Sequence, residues 1–232
     1  MRLLIADKLP DANIRKLSQI VDNMDYAPDI TTTDLADRIA GINILLVRGT
    51  KVSAGVIENA DALELIVRSG SGTENIDLEA ASARGIYVTN CPDKNAVAVA
   101  ELTMGLLVAL DRRIPDQVVA LRKGVWDKEG FAKADGLKGK IFGVIGTGAV
   151  GREVIKRAKA FDMSVIAWSR SLTDLKACEL GVVRMTSLEE LVSQCDVVSL
   201  HVAYTPETEH LLSAHLIAKL KPGAIVLNTS RG

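Results

Sequence analysis

The sequence lacks the features that define several large classes of protein. It has only three cysteines, Cys91, Cys178 and Cys195, which are widely spaced and odd in number. That pattern argues against a disulfide framework and against metal sites built from paired cysteines. It favours a reducing compartment, so we expect a cytoplasmic protein. The three histidines do not have metal-ligand spacing, and we expect no metal site.

The sequence also lacks an excess of charge of either sign and an apolar run long enough to span a membrane. Lys and Arg number 28 and Asp and Glu 29, so the formal net charge is −1 and nothing points to nucleic acid or an acidic membrane surface as a partner. The longest apolar stretch, Ala96 to Leu110, is interrupted by Glu101 and Thr103. It is too short and too polar to cross a bilayer and predicts a buried helix, in which Glu101 would be a buried, hydrogen-bonded carboxylate. The N-terminus has no signal-peptide form.

The strongest positive signal is a glycine-rich turn. A short apolar, β-branched run leads into Gly146-x-Gly148-x-x-Gly151, and an amphipathic helix follows without a break. A strand, a glycine triplet and a helix start in that order predict a dinucleotide-binding loop. Gly146 allows the tight turn, Gly148 lets a pyrophosphate approach the backbone, and Gly151 lets the helix pack closely on the sheet. The helix N-terminus, at Ala149 and Val150, offers unpaired N–H groups to the anion.

Strands and helices alternate along the whole chain, which predicts an α/β fold of two doubly wound parallel-sheet domains. The predicted strands are 3–6, 43–48, 63–68, 87–89, 141–145, 164–168, 182–184, 196–200 and 224–228. The predicted helices are 10–20, 31–39, 54–59, 78–84, 149–161, 172–179, 187–193 and 213–218. Residues 95–125 predict a long helical piece with a kink or break near Pro115. We place the domain boundary near residue 99, which gives domains 1–99 and 100–232.

The residues after the second strand of the later domain bear on the choice of cofactor. An NAD site normally has Asp or Glu there, roughly 20 residues beyond the loop, to accept hydrogen bonds from the ribose. Ser169 stands 18 residues after Gly151 and Arg170 follows it, so the position matches but the carboxylate is absent. A hydroxyl and a guanidinium suit a 2′-phosphate. Alternatively, Arg170 stacks on adenine and NAD still binds. We expect NAD(P), with NADP modestly favoured.

Two arginines end neighbouring predicted strands in the first domain. Arg68 precedes a glycine-rich turn containing Ser71 and Gly72, whose N–H groups can form an anion-binding concavity. Together, Arg48 and Arg68 could bind a carboxylate and a phosphate, although each alone could be a solvated loop charge. Asn95 opens the long helix, either as its N-cap or as a substrate contact.

Two further residues follow strands in the second domain. Arg231 lies just beyond the last strand, where a guanidinium could bind a substrate carboxylate and polarise the carbonyl that receives hydride. By position alone, a terminal surface arginine is the alternative. His201 ends another strand, and its position alone favours a structural role.

Five ordered motifs, covering essentially the whole chain, resemble the D-isomer-specific 2-hydroxyacid dehydrogenases. They are the glycine loop, Arg68-x-Gly-x-Gly-x-x-Asn75-Ile-Asp77, Asn90-x-Pro92-x-x-Asn95-x-x-x-Val99-Ala-Glu101, Val198-Ser-Leu-His201 and Lys221-Pro-Gly-Ala-Ile-Val-Leu-Asn228-Thr-Ser-Arg231-Gly232. The resemblance implies a flavodoxin-like substrate domain followed by a Rossmann nucleotide-binding domain that is C-terminally incomplete here. It also implies a homodimer formed through the nucleotide domain, including the long helix and the segment around Trp126.

The resemblance implies a role for each candidate residue. Arg231 would be catalytic, binding the substrate carboxylate and carbonyl. The backbone amides of Ser71 and Gly72 would hold the carboxylate, with Asn95 beside the substrate. The implied cofactor contacts, besides the glycine loop, are Thr103, Ser169, Arg170, His201 and Thr208.

Within the family, the opening segment and Val47-Arg48-x-Thr-Lys51 look most like the members that act on 3-phosphoglycerate, in which residues matching Arg48 and Arg68 lie near the phosphate. We therefore expect oxidation of 3-phosphoglycerate to 3-phosphohydroxypyruvate in serine biosynthesis. Reduction of glyoxylate or hydroxypyruvate is an alternative that the Ser169-Arg170 pair favours. A non-catalytic dinucleotide sensor, or a corepressor-like protein, is an alternative of another class.

Besides Ser169-Arg170, two departures from the family pattern matter. Ala203 stands where the pattern has proline, which we expect to change only the rigidity of the loop. The family also continues past Arg231 to a Glu that tunes a catalytic His, and none of the three histidines here matches that His. Because a tuned proton donor contributes about 10²–10⁴-fold in rate, a protein ending at Gly232 is expected to be very slow or inactive.

Overall fold

The computed structural model describes residues 1–231, and the chain divides into two compact units, Met1–Asn95 and Ala96–Gly232. The division falls a few residues before the boundary predicted near residue 99, just ahead of the long helix. Gly232, the last residue of the fifth motif, lies outside the described residues.

The first unit is a five-stranded parallel sheet in the order β2-β1-β3-β4-β5, with helices in the connections. Its strands are β1 (Arg2–Ile5), β2 (Asn23–Tyr26), β3 (Ile44–Val47), β4 (Leu65–Arg68) and β5 (Tyr87–Thr89). Its helices are α1 (Asp11–Leu17), α2 (Thr32–Arg38), α3 (Ala54–Glu58) and α4 (Leu78–Ala83). The apolar strands β1 and β3 form the centre of the core, as their continuous hydrophobic runs predict.

Strand β2 is the element that the sequence analysis missed. Its residues, Asn-Met-Asp-Tyr, are half-buried or exposed, and it pairs only with β1 at the edge of the sheet. An edge strand has one neighbour and little buried surface, so it needs no apolar run, and the pattern used to find the other strands is absent.

The second unit is also a parallel five-stranded sheet, in the order β10-β9-β6-β7-β8. Its strands are β6 (Ile141–Ile145), β7 (Ser164–Trp168), β8 (Val183–Arg184), β9 (Val197–Leu200) and β10 (Ile225–Asn228). Its helices are α5 (Ala96–Asp111), α6 (Ile114–Arg122), α7 (Ala149–Ala160), α8 (Asp174–Leu180), α9 (Leu188–Gln194) and α10 (Ala214–Ile217). The first strand of this unit, β6, is the central one. Strands β7 and β8 follow on one side of it, and β9 and β10 lie on the other side. This is the strand order of a Rossmann sheet, and its switch point lies between β6 and β9.

The predicted long helix is two helices. Helix α5 ends at Asp111, Arg113 adopts a left-handed conformation with φ of 52°, and α6 then begins with Pro115 in its first turn. Proline fits the first turn of a helix because its missing N–H has no helical partner there. The break predicted near Pro115 therefore falls at Arg113, whose guanidinium lies 4.8 Å from the centre of the Phe131 ring.

The prediction that Glu101 is a buried carboxylate is wrong. Its side chain is 64% exposed and pairs with Arg157 of α7 at 3.4 Å. The face of α5 that is buried follows helical spacing through Ala96, Ala100, Thr103, Met104 and Leu107. Glu101 lies off that face, because an almost uniformly apolar helix does not show in its sequence which side is covered. No helix within residues 1–231 has both the length and the apolarity to cross a membrane.

Candidate cofactor and substrate sites

Two of the three loop glycines are required by the packing of the second unit. Gly146 has φ of +97°, and a Cβ there would overlap the backbone carbonyl of His201. A Cβ on Gly151 would overlap the carbonyl oxygen of Gly146. The first turn of α7 therefore lies directly against the loop that ends β6. Any side chain at either position would push the helix start away from the sheet.

Gly148 has a different environment. It is the N-cap of α7, with φ of −67° and ψ of −165°, and no side chain caps the helix. Nothing lies within 4 Å of where its Cβ would be. The N–H groups of Ala149 and Val150 meet no acceptor in the described part of the second unit. An open approach to an uncapped helix N-terminus at a switch point fits the pyrophosphate of a dinucleotide.

A cleft of about 200 Å³ extends from this loop along the carboxyl edge of the sheet. One wall contains the predicted specificity residues Ser169 and Arg170, and the other follows β9. The Ser169 hydroxyl is 2.9 Å from that of Thr147, which ties the end of β7 to the glycine loop. Arg170 is exposed, and its guanidinium makes no hydrogen bond within residues 96–231.

Thr208 organises the second wall of the cleft. Its hydroxyl accepts from the backbone N–H of Thr205 at 2.8 Å and donates to the carbonyl of Ala203 at 2.6 Å. The turn after β9 is therefore held by this side chain at the place where the family pattern has proline. Thr208 lines the cleft, and the cofactor contact that the resemblance implies for it stays a prediction.

His201 lies at the end of β9 with its ring mostly buried. Its Nε2 is 2.8 Å from the Ser199 hydroxyl, while its Nδ1 is buried and has no partner among residues 96–231. Burial lowers the pKa of His201 to about 4, because the surroundings disfavour the charged ring. The imidazole is therefore neutral at physiological pH.

Thr103 does not lie on the surface of the cleft. It is fully buried, with its hydroxyl 2.8 Å from the Val99 carbonyl and 2.8 Å from the Thr229 hydroxyl. It ties α5 to the segment that follows β10. Its implied contact with the cofactor stays a prediction.

Arg231 is exposed beyond the carboxyl end of β10. Asn228 shapes the turn that holds it: the Asn228 amide donates to the Arg231 carbonyl at 2.8 Å, and its Oδ1 accepts from the Ser230 N–H and hydroxyl. The sequence analysis included Asn228 in the fifth motif but gave it no role, although an asparagine at the end of a strand is a known turn signal.

In the first unit, Asp7 fixes the loop that holds Arg48. One oxygen of its carboxylate accepts from the backbone N–H groups of Arg48, Gly49 and Thr50, at 2.6, 3.1 and 3.1 Å. The Arg48 side chain remains exposed. The sequence analysis overlooked Asp7; the available signal was an acidic residue two positions after β1, beside a neighbouring strand that also ends at this edge.

The other predicted substrate residues of the first unit come together at the end of β4. The Arg68 guanidinium lies over Gly70, in the space that a Cβ at that position would occupy. The Ser71 hydroxyl donates to Asn95 Oδ1 at 3.1 Å, and the Asn90 amide donates to the Ser71 carbonyl at 2.7 Å.

The turn that these contacts hold can bind an anion. Within residues 1–95, the N–H groups of Ser71 and Gly72 meet no acceptor, which leaves an open concavity of the predicted kind. Because Val47 pairs with Arg68 across the sheet, Arg48 follows at the adjacent strand end.

The two glycines of the α7 N-terminus give a matched pair of substitutions. We expect Gly148→Ala to fold with a loss of less than about 1 kcal/mol, because the space is open. Its Cβ would obstruct the pyrophosphate and weaken NADPH and NADH binding about tenfold or more. Gly151→Ala should lose about 1–3 kcal/mol of stability through overpacking. Urea unfolding and fluorescence titration measure both effects. Wild-type affinity in Gly148→Ala would contradict the assigned binding mode.

The neutral His201 predicts a pH dependence of stability. The pKa of His201 in the folded protein is about 4, below the usual 6.5 of the unfolded chain, so the unfolded state binds more protons between these values. Stability should therefore fall as pH drops from about 6.5 to 4, by up to about 3 kcal/mol. His201→Gln should flatten this slope, while His215→Gln, at an exposed histidine, should retain it. Equal slopes in all three proteins would show that His201 does not titrate in this way.

Comparison with known proteins agrees with the motifs. A model of the D-isomer specific 2-hydroxyacid dehydrogenase NAD binding domain matches residues 104–232. D-3-phosphoglycerate dehydrogenase of Methanocaldococcus jannaschii is 41% identical over 100% of this chain and 44% of its own length. Hydroxypyruvate reductase of Thermotoga maritima is 42% identical over 86% of this chain and 64% of its own length.

A solved structure gives the same assignment. The apo-structure of D-lactate dehydrogenase from Escherichia coli matches with a TM-score of 0.84 and 30% identity, covering 100% of this chain and 74% of that one. The chain spans less than half the length of the M. jannaschii relative. The resemblance seen in the five motifs is confirmed: the chain belongs to the D-isomer-specific 2-hydroxyacid dehydrogenase family, and residues 104–232 match the family's NAD-binding domain.

Proposed function

We propose that this protein is an NAD(P)-dependent oxidoreductase that interconverts a D-2-hydroxy acid and its 2-oxo acid, with 3-phosphoglycerate as the substrate. The observation that carries the proposal is the uncapped N-terminus of α7, which opens beside Gly148 at the switch point of a Rossmann sheet. The name of the M. jannaschii relative, 41% identical over the whole of this chain, supports the choice of substrate.

The cofactor, when bound, supplies a nicotinamide that takes hydride from C2 of the hydroxy acid or returns it to the 2-oxo acid. The chain's own residues bind and orient the substrate. Arg231 binds the carboxylate and polarises the carbonyl, and the Ser71 and Gly72 amides hold the carboxylate. Arg48 and Arg68 provide two guanidiniums at adjacent strand ends, which suit a doubly charged phosphate.

NADP as the favoured cofactor is part of the proposal. The position that normally accepts from the ribose is a serine, and the guanidinium of Arg170 beside it is uncommitted within the second unit. Paired donors of this kind suit a 2′-phosphate.

Reduction of hydroxypyruvate or glyoxylate is the second candidate. The T. maritima relative is named a hydroxypyruvate reductase, and Ser169-Arg170 suits the reductive cofactor NADPH. Both candidates share the chemistry at C2 and differ in whether a phosphate must be bound.

We also propose that the first unit is the flavodoxin-like substrate domain and the second the nucleotide domain, with the functional boundary near residue 99. The order β2-β1-β3-β4-β5 supports the flavodoxin-like assignment. The free cysteines are compatible with a cytoplasmic location.

A homodimer formed through the second unit completes the proposal. Helices α5 and α6 and the segment after them expose large apolar side chains, which in a monomer would lie against water. They include Leu102 at 56%, Leu110 at 54%, Leu121 at 60% and Trp126 at 80% exposure.

Substituting Arg48 tests the choice of substrate. With NADPH, we expect Arg48→Gln to lower kcat/KM for 3-phosphohydroxypyruvate about 10- to 100-fold, because a charged contact to the phosphate is lost. The value for hydroxypyruvate, which has no phosphate, should change less than about twofold. The assay follows the loss of NADPH absorbance in a form that includes the family's catalytic His, and substrate binding to the chain itself is titrated in parallel.

Arg38→Gln is the matched control. Arg38 is in the last turn of α2, which places it at the opposite edge of the parallel sheet from the carboxyl end of β3, and it should leave both substrates unaffected. An unchanged value for the phosphorylated substrate in Arg48→Gln would remove phosphoglycerate from the proposal. Cofactor binding by this chain, together with no turnover by a longer form that includes the family's catalytic His, would instead favour a dinucleotide sensor.

A further inference from the structure

The second wall of the cofactor cleft has a negative charge that the motifs do not account for. Arg170 and Glu207 are the only charged residues among the described residues that line this cleft. Arg170 follows β7, where the adenosine ribose of a dinucleotide lies in a Rossmann sheet. Glu207 lies in the turn after β9, on the other side of the same cleft. The cleft therefore has one cation and one anion and no local excess of positive charge.

Local hydrogen bonds hold the backbone around Glu207 in place. The Thr208 hydroxyl accepts from the Thr205 N–H at 2.8 Å, and the Thr208 N–H donates to the Thr205 carbonyl at 3.0 Å. These bonds close the turn on both sides of Glu207. The backbone of Glu207 is therefore held at the cleft by hydrogen bonds within the turn.

The Glu207 side chain is ionised at neutral pH. A hydrogen bond from the Thr205 hydroxyl lowers the pKa of Glu207, and the positive charge of Arg170 acts in the same direction. Although this interaction links the two side chains, they do not form a direct ion pair within 4.0 Å, and the Arg170 donors stay available to a ligand.

We propose that Glu207 is a specificity-determining residue for the cofactor, which disfavours a 2′-phosphate and so limits the preference for NADP that Arg170 creates. This inference rests on the proposed binding of a dinucleotide in this cleft. A 2′-phosphate has close to two negative charges at neutral pH, so it is repelled by the carboxylate while it is attracted by the guanidinium. NAD has two uncharged hydroxyls on that ribose and is nearly insensitive to the same charge. A single Arg without Glu207 would select NADP more strongly.

Glu207→Gln tests this directly, because the amide keeps an oxygen that can accept from Thr205 and removes only the charge. Dissociation constants of NADPH and NADH are measured by nucleotide fluorescence titration on the protein as it is. We expect the affinity for NADPH to rise about three- to tenfold and that for NADH to change less than twofold. Since the cleft is open to solvent, the gain should shrink as salt is raised.

Glu209→Gln is the matched control. Glu209 is exposed in the same turn and does not line the cleft, so its removal changes the net charge equally and should leave the NADPH-to-NADH ratio as in the wild type. An unchanged ratio in Glu207→Gln, or an equal rise for both nucleotides, would overturn the proposal. If the wild-type protein binds neither nucleotide, the proposed function itself fails, which is a separate outcome from an unaltered ratio.

Discussion

The contact between Gly151 and the carbonyl of Gly146 is the constraint on which the second unit's site depends. With no side chain at either position, the first turn of α7 lies directly against the end of β6. The helix therefore begins beside the switch point of the sheet, and its N-cap, Gly148, lines the cleft that runs to Ser169 and Arg170. The positive end of the helix dipole then favours an anion at this place without any charged side chain in the loop.

The first unit uses backbone N–H groups in two different ways at the same edge of its sheet. After β3, the N–H groups of Arg48, Gly49 and Thr50 form a concavity, and all three donate to the carboxylate of Asp7. This contact within the protein holds the loop that contains Arg48. After β4, the amides of Ser71 and Gly72 are left open. The carboxylate of Asp7 holds the first loop in place, whereas the open N–H groups after β4 are where we propose that the substrate carboxylate binds.

Much of this architecture follows from the sequence because hydrophobic runs and glycine spacing are local signals. The apolar strands, the glycine loop and the turn after β4 were predicted at the positions where they occur. Strand β2 was missed because its residues include no apolar run, which its position at the edge of the sheet does not require. Glu101 was misplaced because the burial of one face of α5 is decided by its packing and not by its own sequence. The partner of Asp7 is the loop after β3, and Glu207 lines the same cleft as Arg170. These partners are distant in sequence, and no local pattern predicts them.

The central claim is that the pyrophosphate of a dinucleotide binds at the N-terminus of α7. Backbone amide chemical shifts, recorded during titration of the ¹⁵N-labelled protein with NADPH, test this most directly. The account predicts the largest changes at Gly148, Ala149 and Val150, because their N–H groups would gain a charged acceptor. Saturable binding that leaves these three amides unshifted would contradict it.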